Sequence, residues 1–284
     1  MTAGTNDGHY QFMDLMSMST SSFTDLANRF QPDTLPWTRH ARQQGDFADQ
    51  MPHGTTVVAM RFADGVLMAG DRQVTSGTMI GYRYAEKVYS ADEYSCVGVA
   101  GTAALAFEMA RLFQVELRHY EKLEGVSLSL QGKANKLAGM VRQNMAMAMQ
   151  GLTVVPLYAG YDLEAGIGRI YSYDPIGGIS EEHEGFEAIG SGSLFAVGCL
   201  KKMYRDDLTE QEAITAALEA LYDAAESDVA TMGPDLTREI YPLVHVVTAE
   251  GERELSTEEV ATVARQVVDG RHRRPNGPRV DLRQ

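Results

Sequence analysis

The junction between Gly54 and Thr55 is where the sequence offers nucleophilic chemistry a physical basis. A threonine hydroxyl is a weak nucleophile unless a base lies beside it, and a threonine at a free amino terminus carries its own base, the α-amine. An unperturbed α-amine has a pKa of roughly 7.7 to 8.0, so at neutral pH it accepts a proton more readily than a lysine does. We therefore expect Thr55 to act as an N-terminal nucleophile once residues 1–54 are removed. The alternative is that Gly54 and Thr55 merely begin a strand, and these two residues alone favour it.

The glycine before this threonine suits self-cleavage. Because Gly54 has no side chain, the Thr55 hydroxyl can reach the preceding carbonyl group and cut the bond through an ester. We therefore predict Gly54-Thr55 as the processing site and residues 1–54 as a propeptide, with a flexible tail as the alternative for this segment.

Asp71 and Lys87 are the next residues with chemical potential. Lys87 is the first lysine of the chain and lies among aromatic and apolar neighbours in GYRYAEKVYS. A lysine that points inward there needs a carboxylate, because an unpaired buried ammonium is very costly, and Asp71 could supply it. The cation would lower the pKa of a nearby amine and stabilise alkoxide character on Thr55. The alternative is a surface lysine whose stem lies along apolar groups.

Composition excludes several other functions. Acidic residues number 39 against 25 basic ones, so the net charge of -14 argues against binding a nucleic-acid backbone. The two cysteines show no metal-ligand spacing, and the common nucleotide, hydrolase and metalloprotease motifs are missing, so we expect neither a metal nor a cofactor. We find no membrane-spanning run or secretory signal and expect a cytoplasmic protein.

Hydrophobic patterning predicts the elements that must position these residues. A hairpin is expected around Asp64-Gly65, from strands at 55–62 and 66–71. Further strands are predicted at 86–89, 94–100, 154–161, 168–173, 181–189 and 243–248. Helices are predicted at 102–124 and 129–150, and from Gly192, Thr209 and Ser256; the last two have Glu212 and Glu259 in place for capping boxes.

The order of these elements predicts the fold class. Helices come in pairs between groups of strands, which fits α+β rather than a doubly wound sheet. A four-layer α/β/β/α sandwich, with two antiparallel sheets flanked by helices, would bury the apolar face of every element. We place the globular domain at 55–270 and a flexible C-terminal tail at 271–284, and expect a short helix near 23–30.

Five stretches of the chain follow the order known from one family. They are GTTVVAMRFADGVLMAGDRQVTSG, KVYSADEYSCVGVAGTAA, LFQVELRHYEKLEG, AIGSGSLFA and LYDAAESDVATMGPD. From Thr55 to about residue 270 the chain resembles proteasome β-type subunits, which are N-terminal-nucleophile hydrolases, and looks most like the catalytic β subunit of actinobacteria. The resemblance implies the Ntn-hydrolase fold and a threonine endopeptidase that is made as a zymogen and becomes active by autocatalytic cleavage.

The resemblance also implies roles for individual residues. It makes Thr55 the nucleophile above Asp71 and Lys87. The Gly101 N–H would face the developing oxyanion, while Ser191, Asp228 and Thr231 would hold the freed amine and a water molecule. Thr231-Met232-Gly233 replaces the Ser-Gly-Gly common in the family, so Met232 raises a question if the loop needs a positive φ there.

Substrate contacts follow from the same resemblance. Thr75 and Gly101 would pair with an extended peptide through main-chain hydrogen bonds. The first specificity pocket would be lined by Val74, Ala85, Val99, Ala103 and Phe107. These side chains are uncharged, so we expect cleavage after hydrophobic residues of polypeptide substrates.

The implied partners are α-type proteasome subunits, further copies of this chain in heptameric rings, and an ATPase ring regulator. Two alternatives remain open. One is the peptidase subunit of the simpler two-component bacterial ATP-dependent protease, which usually lacks a long leader and an extended C-terminal region. The other is an inactive β-type subunit that only fills a ring, which the joint presence of Thr55, Asp71, Lys87, Ser191 and Asp228 argues against.

Overall fold

The computed structural model describes residues 21–41 and 54–279, and two five-stranded antiparallel sheets form the centre of the fold. The first sheet has the strand order β10-β1-β2-β11-β12. Its strands are β1 (Thr56–Phe62), β2 (Gly65–Gly70), β10 (Phe186–Gly190), β11 (Leu243–Thr248) and β12 (Gly251–Glu254). The second sheet has the order β5-β6-β7-β8-β9. Its strands are β5 (Val88–Asp92), β6 (Ser95–Gly101), β7 (Val154–Asp162), β8 (Ile167–Tyr173) and β9 (Ile179–Glu181).

Helices cover the outer face of each sheet. Before the first strand lie α1 (Phe23–Phe30) and α2 (Pro36–Ala41). The second sheet carries α3 (Ala103–Glu124), α4 (Leu130–Gln143) and the short α5 (Met145–Ala148). The first sheet carries α6 (Ser193–Met203), α7 (Glu210–Ser227) and α8 (Thr257–Arg273). The four-layer α/β/β/α arrangement of the Ntn-hydrolase fold is therefore confirmed.

Strand β1 shows how the layers are built. Val58 and Met60 are fully buried against the helices α6 and α7, whereas Val57 and Ala59 are fully buried between the two sheets. Neighbouring side chains of a strand point to opposite faces, so a strand that is apolar at every position must be covered on both sides. This is why residues 57–60 of β1 form a continuous apolar run rather than an alternating pattern.

Several predicted elements are confirmed. The β1–β2 hairpin forms with its turn at Ala63-Asp64, one residue before the predicted Asp64-Gly65, and both predicted capping boxes form, Thr209 with Glu212 and Ser256 with Glu259. Gly125 ends α3 with φ +72°, the left-handed conformation that glycine adopts at little cost.

Other predictions are wrong in detail. The single strand predicted at 181–189 is two strands in different sheets, β9 and β10, because the polar run Glu182-His183-Glu184-Gly185 carries the chain from one sheet to the other. The helix predicted at 129–150 ends at Gln143 and resumes as α5 after Asn144. The sequence analysis also missed β12 and the separate two-stranded ribbon of β3 (Val74–Ser76) and β4 (Met79–Tyr82).

The described part of the predicted propeptide, residues 21–41, packs against α3. The Thr24 amide donates to Glu116 Oε2 at 2.8 Å, and Phe23 meets His119 edge to face at 5.7 Å. Leu35 is fully buried in the helical cluster that covers the second sheet, and Trp37 packs against that cluster. The short helix expected near 23–30 is present as α1, and residues 21–41 form an ordered layer on the domain. Residues 1–20 and 42–53 of the predicted propeptide lie outside the described part of the chain.

The predicted boundary at residue 271 falls inside α8, which continues to Arg273. Arg271 is buried, and its guanidinium donates to Glu219 Oε2 at 2.6 Å and lies 2.7 Å from Asp223 Oδ1. The expectation of a flexible segment is therefore wrong for residues 271–273, because a buried ion pair holds the last turn of the helix. Residues 280–284 of the predicted tail lie beyond the described residues.

Candidate active site

Thr55 lies at the entrance to β1, between β10 and the end of β2. Its carbonyl oxygen accepts a hydrogen bond from the Ser191 amide at 2.9 Å. The next amide, that of Thr56, donates to Asp71 Oδ1 at 2.8 Å. Thr55 itself is buried, at 6% exposure. Hydrogen bonds to its backbone therefore fix the position of Thr55, although β1 itself begins only at the next residue.

Lys87 lies beside the Gly54–Thr55 junction with its ammonium group fully engaged. Its Nζ donates to Asp71 Oδ1 at 2.6 Å, to the Gln73 carbonyl at 2.5 Å and to the Gly54 carbonyl at 3.0 Å. Burial lowers the pKa of Lys87, while the nearby charge of Asp71 opposes that change. Three acceptors match the three N–H groups of an ammonium ion, so the geometry favours the charged form. The predicted inward lysine paired with Asp71 is present.

Asp71 accepts hydrogen bonds from four donors in four parts of the chain. Oδ1 accepts from the Thr56 amide and from Lys87, while Oδ2 accepts from the Gln73 amide at 2.9 Å and the Met232 amide at 3.1 Å. A carboxylate with this many donors is fixed in orientation. It thereby ties the loop after β2 to the loop after α7.

Met232 needs no unusual backbone in this loop. Among the described residues other than glycine, only Glu239 has a positive φ, so Met232 does not adopt the left-handed conformation that a glycine would favour. The question raised by the sequence is answered by the Met232 amide, which points at Asp71.

Gly54 occupies a position where only glycine fits. Its φ is +107°, and a Cβ atom there would lie 2.8 Å from both Ala230 Cβ and Thr75 Oγ1. The Thr55 hydroxyl donates to the Gly54 carbonyl oxygen at 2.6 Å, so the predicted nucleophile contacts the carbonyl group of the predicted processing site.

Ser191, Asp228 and Thr231 form a second polar cluster next to Thr55. Asp228 Oδ2 accepts from the Ser191 hydroxyl and from the Thr231 hydroxyl, each at 2.6 Å. The Ser191 hydroxyl also lies 3.3 Å from the Thr55 carbonyl oxygen. The structure thus brings together residues that lie far apart in the sequence, up to the 176 positions between Thr55 and Thr231.

A cavity of about 560 Å³ opens beside Thr55. The predicted pocket residues Val74, Ala85, Val99, Ala103 and Phe107 line it, as do Gly101 and Lys87. Thr75 is not among its lining residues; this residue is buried next to Gly54.

The cavity has further walls that the sequence analysis missed, formed by Tyr82, Tyr84, Glu86 and Tyr89. Tyr82 and Tyr84 meet edge to face at 5.9 Å on the exposed side. Burial, aided by the charge of Glu86, raises the pKa of Tyr89 to about 12, so its hydroxyl stays protonated and donates to the Glu86 carbonyl at 2.5 Å. The alternation Tyr82-Arg83-Tyr84 after a glycine was the available signal for this aromatic rim.

A larger cavity, of about 1040 Å³, lies between α6, α7 and the residues after α8. It contains none of the residues predicted to be catalytic or to bind substrate. Reactivity depends on a nucleophile with neighbouring charge, so the smaller cavity next to Thr55 is the candidate active site.

The described residues offer neither a candidate metal centre nor a candidate membrane span. They contain no group of three or more His, Cys, Asp or Glu side chains placed to hold a metal ion. None of the described helices is both long enough and apolar enough to cross a bilayer.

Comparisons with known proteins point to one family. The family model described as "Proteasome subunit" matches residues 51–234. The chain is 53% identical over 270 residues to "Proteasome subunit beta 2" of Thermomonospora curvata, covering 95% of this chain and 96% of that protein. It is also 53% identical to "Proteasome subunit beta" of Streptomyces griseus, with 94% of each chain covered. A third relative, "Proteasome subunit beta" of Acidothermus cellulolyticus, is 54% identical over 262 residues, covering 91% of this chain and 90% of that protein. Matches this long include most of residues 1–54.

Proposed function

This chain belongs to the proteasome subunit family and is a β-type subunit, and on that premise we propose that it is a threonine endopeptidase that activates itself by cleaving Gly54-Thr55. The observation that carries the proposal is the pair of hydrogen bonds to the Gly54 carbonyl oxygen, from the Thr55 hydroxyl at 2.6 Å and from Lys87 Nζ at 3.0 Å. A nucleophile and a positive charge therefore already meet at the bond to be cut.

Self-cleavage begins with attack of Thr55 Oγ1 on the Gly54 carbonyl carbon. The hydroxyl proton passes to a solvent water molecule, a C–O bond forms, and the carbonyl oxygen becomes an oxyanion to which Lys87 already donates. Breaking the C–N bond then transfers the acyl group to Oγ1 as an ester, and the proton passes to the released Thr55 amine. Water hydrolyses the ester, which leaves a carboxylate on Gly54 and a free amine and hydroxyl on Thr55.

Peptide hydrolysis repeats the same steps on a bound substrate. The Thr55 amine takes the hydroxyl proton as Oγ1 attacks the substrate carbonyl, and it returns the proton to the leaving amine. Lys87 lowers the amine's pKa and stabilises the alkoxide, while the Gly101 N–H would stabilise the oxyanion. Ser191, Asp228 and Thr231 would orient the amine and the water that hydrolyses the acyl ester.

The cavity beside Thr55 supports cleavage after hydrophobic residues. Val74, Val99, Ala103 and Phe107 line it with apolar groups, and Tyr84 adds an aromatic side. A large apolar side chain gains free energy by leaving water for such a surface, whereas a charged side chain would have to be desolvated against mostly apolar groups.

The family relationship supports an assembly as well. We propose stacked rings in which copies of this chain form the inner heptamers, α-type subunits form the outer rings, and an ATPase ring delivers unfolded polypeptides. The particle's mass, measured on the chain co-expressed with an α-type partner, tests the ring proposal. A monomer under those conditions would contradict it.

The amino terminus of the assembled protein tests the chemistry. Intact-mass analysis of the co-expressed particle should find a chain that starts at Thr55. Thr55→Ala should keep residues 1–54 and hydrolyse no peptide, while Thr55→Ser, which retains a hydroxyl and can form an amine, should be processed. A mature chain starting elsewhere, or peptide turnover by Thr55→Ala, would refute the mechanism. An inert ring subunit would keep its leader in the wild-type particle.

A further inference from the structure

The hydroxyl of Thr56 occupies a position that the proposed chemistry does not use. Thr56 is fully buried, although its side chain is polar. Its Oγ1 lies 2.6 Å from Thr231 Oγ1 and accepts a hydrogen bond from the Gly192 amide at 3.1 Å. A buried hydroxyl requires partners, and here they come from the start of α6 and from the loop after α7.

The direction of the hydrogen bond between Thr56 and Thr231 follows from their other contacts. Thr231 has one hydroxyl hydrogen, and Asp228 Oδ2 accepts it at 2.6 Å. The hydrogen between the two threonines must therefore come from Thr56. The result is a one-way chain in which the Gly192 amide donates to Thr56, Thr56 donates to Thr231, and Thr231 donates to the Asp228 carboxylate.

Such a chain polarises each donor in turn. A hydroxyl that accepts a hydrogen bond becomes a better donor, so the Gly192 amide and Thr56 both strengthen the bond from Thr231 to Asp228. The site also leaves no space beside the chain, because a Cβ atom on Gly192 would lie 2.4 Å from Thr56 Oγ1 and 2.9 Å from Thr231 Oγ1.

Thr56 also joins the strand after Thr55 to the cluster of Asp228, by a route separate from the Ser191 hydroxyl, which lies near both the Thr55 carbonyl and Asp228. Asp228 is the C-cap of α7, and its Oδ1 accepts from the Ala230 amide at 3.1 Å, so the carboxylate is anchored in its own loop. Thr56 is the first residue of β1, directly after Thr55. Its hydroxyl is thus a direct side-chain link from the strand of the nucleophile to the cluster of Asp228.

We propose that Thr56 is a positioning residue for the peptide hydrolysis proposed above, on which this inference rests. Its hydroxyl holds Thr231 as a donor to Asp228 and keeps that carboxylate in register with Thr55. Thr56 does not touch the substrate, and it does not line the cavity beside Thr55.

A pair of substitutions separates the hydroxyl from the packing of this side chain. Thr56→Val keeps the β-branched shape that suits a strand but removes the donor and the acceptor. Thr56→Ser keeps the hydroxyl but removes a methyl group. We expect Thr56→Val to lower kcat of the assembled particle about tenfold with KM within twofold of wild type, and Thr56→Ser to stay within twofold in both. The substrate is a fluorogenic peptide with a hydrophobic residue before the scissile bond.

Thr215→Val is the matched control, because the Thr215 hydroxyl donates to a backbone carbonyl within α7. It contacts neither the residues around Asp71 nor those around Asp228. It should leave kcat and KM unchanged. Intact mass would reveal whether Thr56→Val fails to mature. In that case the same comparison is made at Thr231, the next residue in the hydrogen-bond chain. Thr231→Ser should then retain kcat, and Thr231→Val should lose it.

The outcomes distinguish this inference from the proposed function. Wild-type turnover with an unimpaired Thr56→Val would overturn the inference and leave the proposed function standing. Equal losses in Thr56→Val and Thr56→Ser would also overturn it, since packing rather than the hydroxyl would then matter. A wild-type particle that releases its leader yet hydrolyses no peptide would overturn both.

Discussion

The side-chain ammonium of Lys87 lies 3.0 Å from the carbonyl oxygen of Gly54, the atom that becomes an oxyanion if the following peptide bond is cut. The same ammonium is held by Asp71 at 2.6 Å, so it cannot move away without breaking a buried ion pair. A charge fixed before the reaction needs no reorganisation during it, which is the arrangement that favours electrostatic catalysis.

Lys87→Ala should therefore block release of the leader. Loss of a donor at an oxyanion lowers rates by about 10²- to 10³-fold, so the precursor should persist in intact-mass spectra over hours of incubation. Lys133→Ala is the matched control, because Lys133 forms a similarly buried pair with Asp92 at 2.6 Å and has no contact with Gly54. Equal processing defects in both variants would mean that lost stability, not lost chemistry, explains the effect.

Filling the cavity beside Thr55 should shift substrate preference. Ala103→Leu adds three carbon atoms to a wall of the cavity, so peptides with a large aromatic residue before the scissile bond should lose about tenfold in kcat/KM. Peptides with alanine there should be affected less than twofold. Ala146→Leu, an exposed change on α5, is the control and should alter neither. Equal losses on both peptides would argue against this cavity as the specificity pocket.

The leader should detach from α3 when its buried anchor is removed. Leu35→Ala, made in the Thr55→Ala precursor so that the leader stays attached, should cost about 2–5 kcal/mol of docking free energy. Residues 21–41 should then be digested by a low dose of protease while the domain survives. Leu123→Ala, at an exposed position of α3, should leave the segment protected. Unchanged protection in Leu35→Ala would refute the packing of this segment.

Arg271→Ala should lower the free energy of unfolding by about 3–5 kcal/mol at pH 7, because it leaves Glu219 buried without its partner. Burial already raises the pKa of Glu219, and Arg271 opposes that change, so the variant raises the pKa further. A carboxyl with a raised pKa in the folded state binds more protons folded than unfolded, and its contribution to stability falls as pH rises.

The deficit of Arg271→Ala should consequently be smaller at pH 5 than at pH 7 in urea unfolding, since a protonated Glu219 needs no cation. Arg238→Ala is the control, because that arginine forms an exposed pair with Asp235 and should change stability by less than about 1 kcal/mol. A stability deficit of Arg271→Ala that grows as the pH falls would contradict this predicted pH dependence.

Local signals explain which parts of the fold could be predicted from the sequence. The hairpin indicated by Asp64-Gly65 and the capping boxes at Thr209 and Ser256 depend on residues only a few positions apart, and the structure forms all three, with the hairpin's turn at Ala63-Asp64. The division between β9 and β10 depends on which sheet each strand joins, a long-range choice that strand propensity does not encode. The charged run around His183 was the local sign that one strand could not continue through 181–189.

The candidate site divides in the same way. A buried lysine demands a carboxylate, so Asp71 could be paired with Lys87 from residue types alone, and the two lie 2.6 Å apart. Nothing in the spacing of Ser191 and Asp228, 37 residues apart, indicates that their side chains meet, and only the family resemblance suggested it. The role of Thr56 escaped both routes, because a threonine at the start of a strand is what strand propensity already favours.

Chain ends usually fray, because a terminal residue has neighbours on one side only. The end created by cutting after Gly54 would be different. The Ser191 amide donates a hydrogen bond to the Thr55 carbonyl, and the Thr56 amide donates one to Asp71. A newly exposed terminus would be as rigid as a central strand. The amine and hydroxyl of Thr55 would therefore not have to be immobilised before they react.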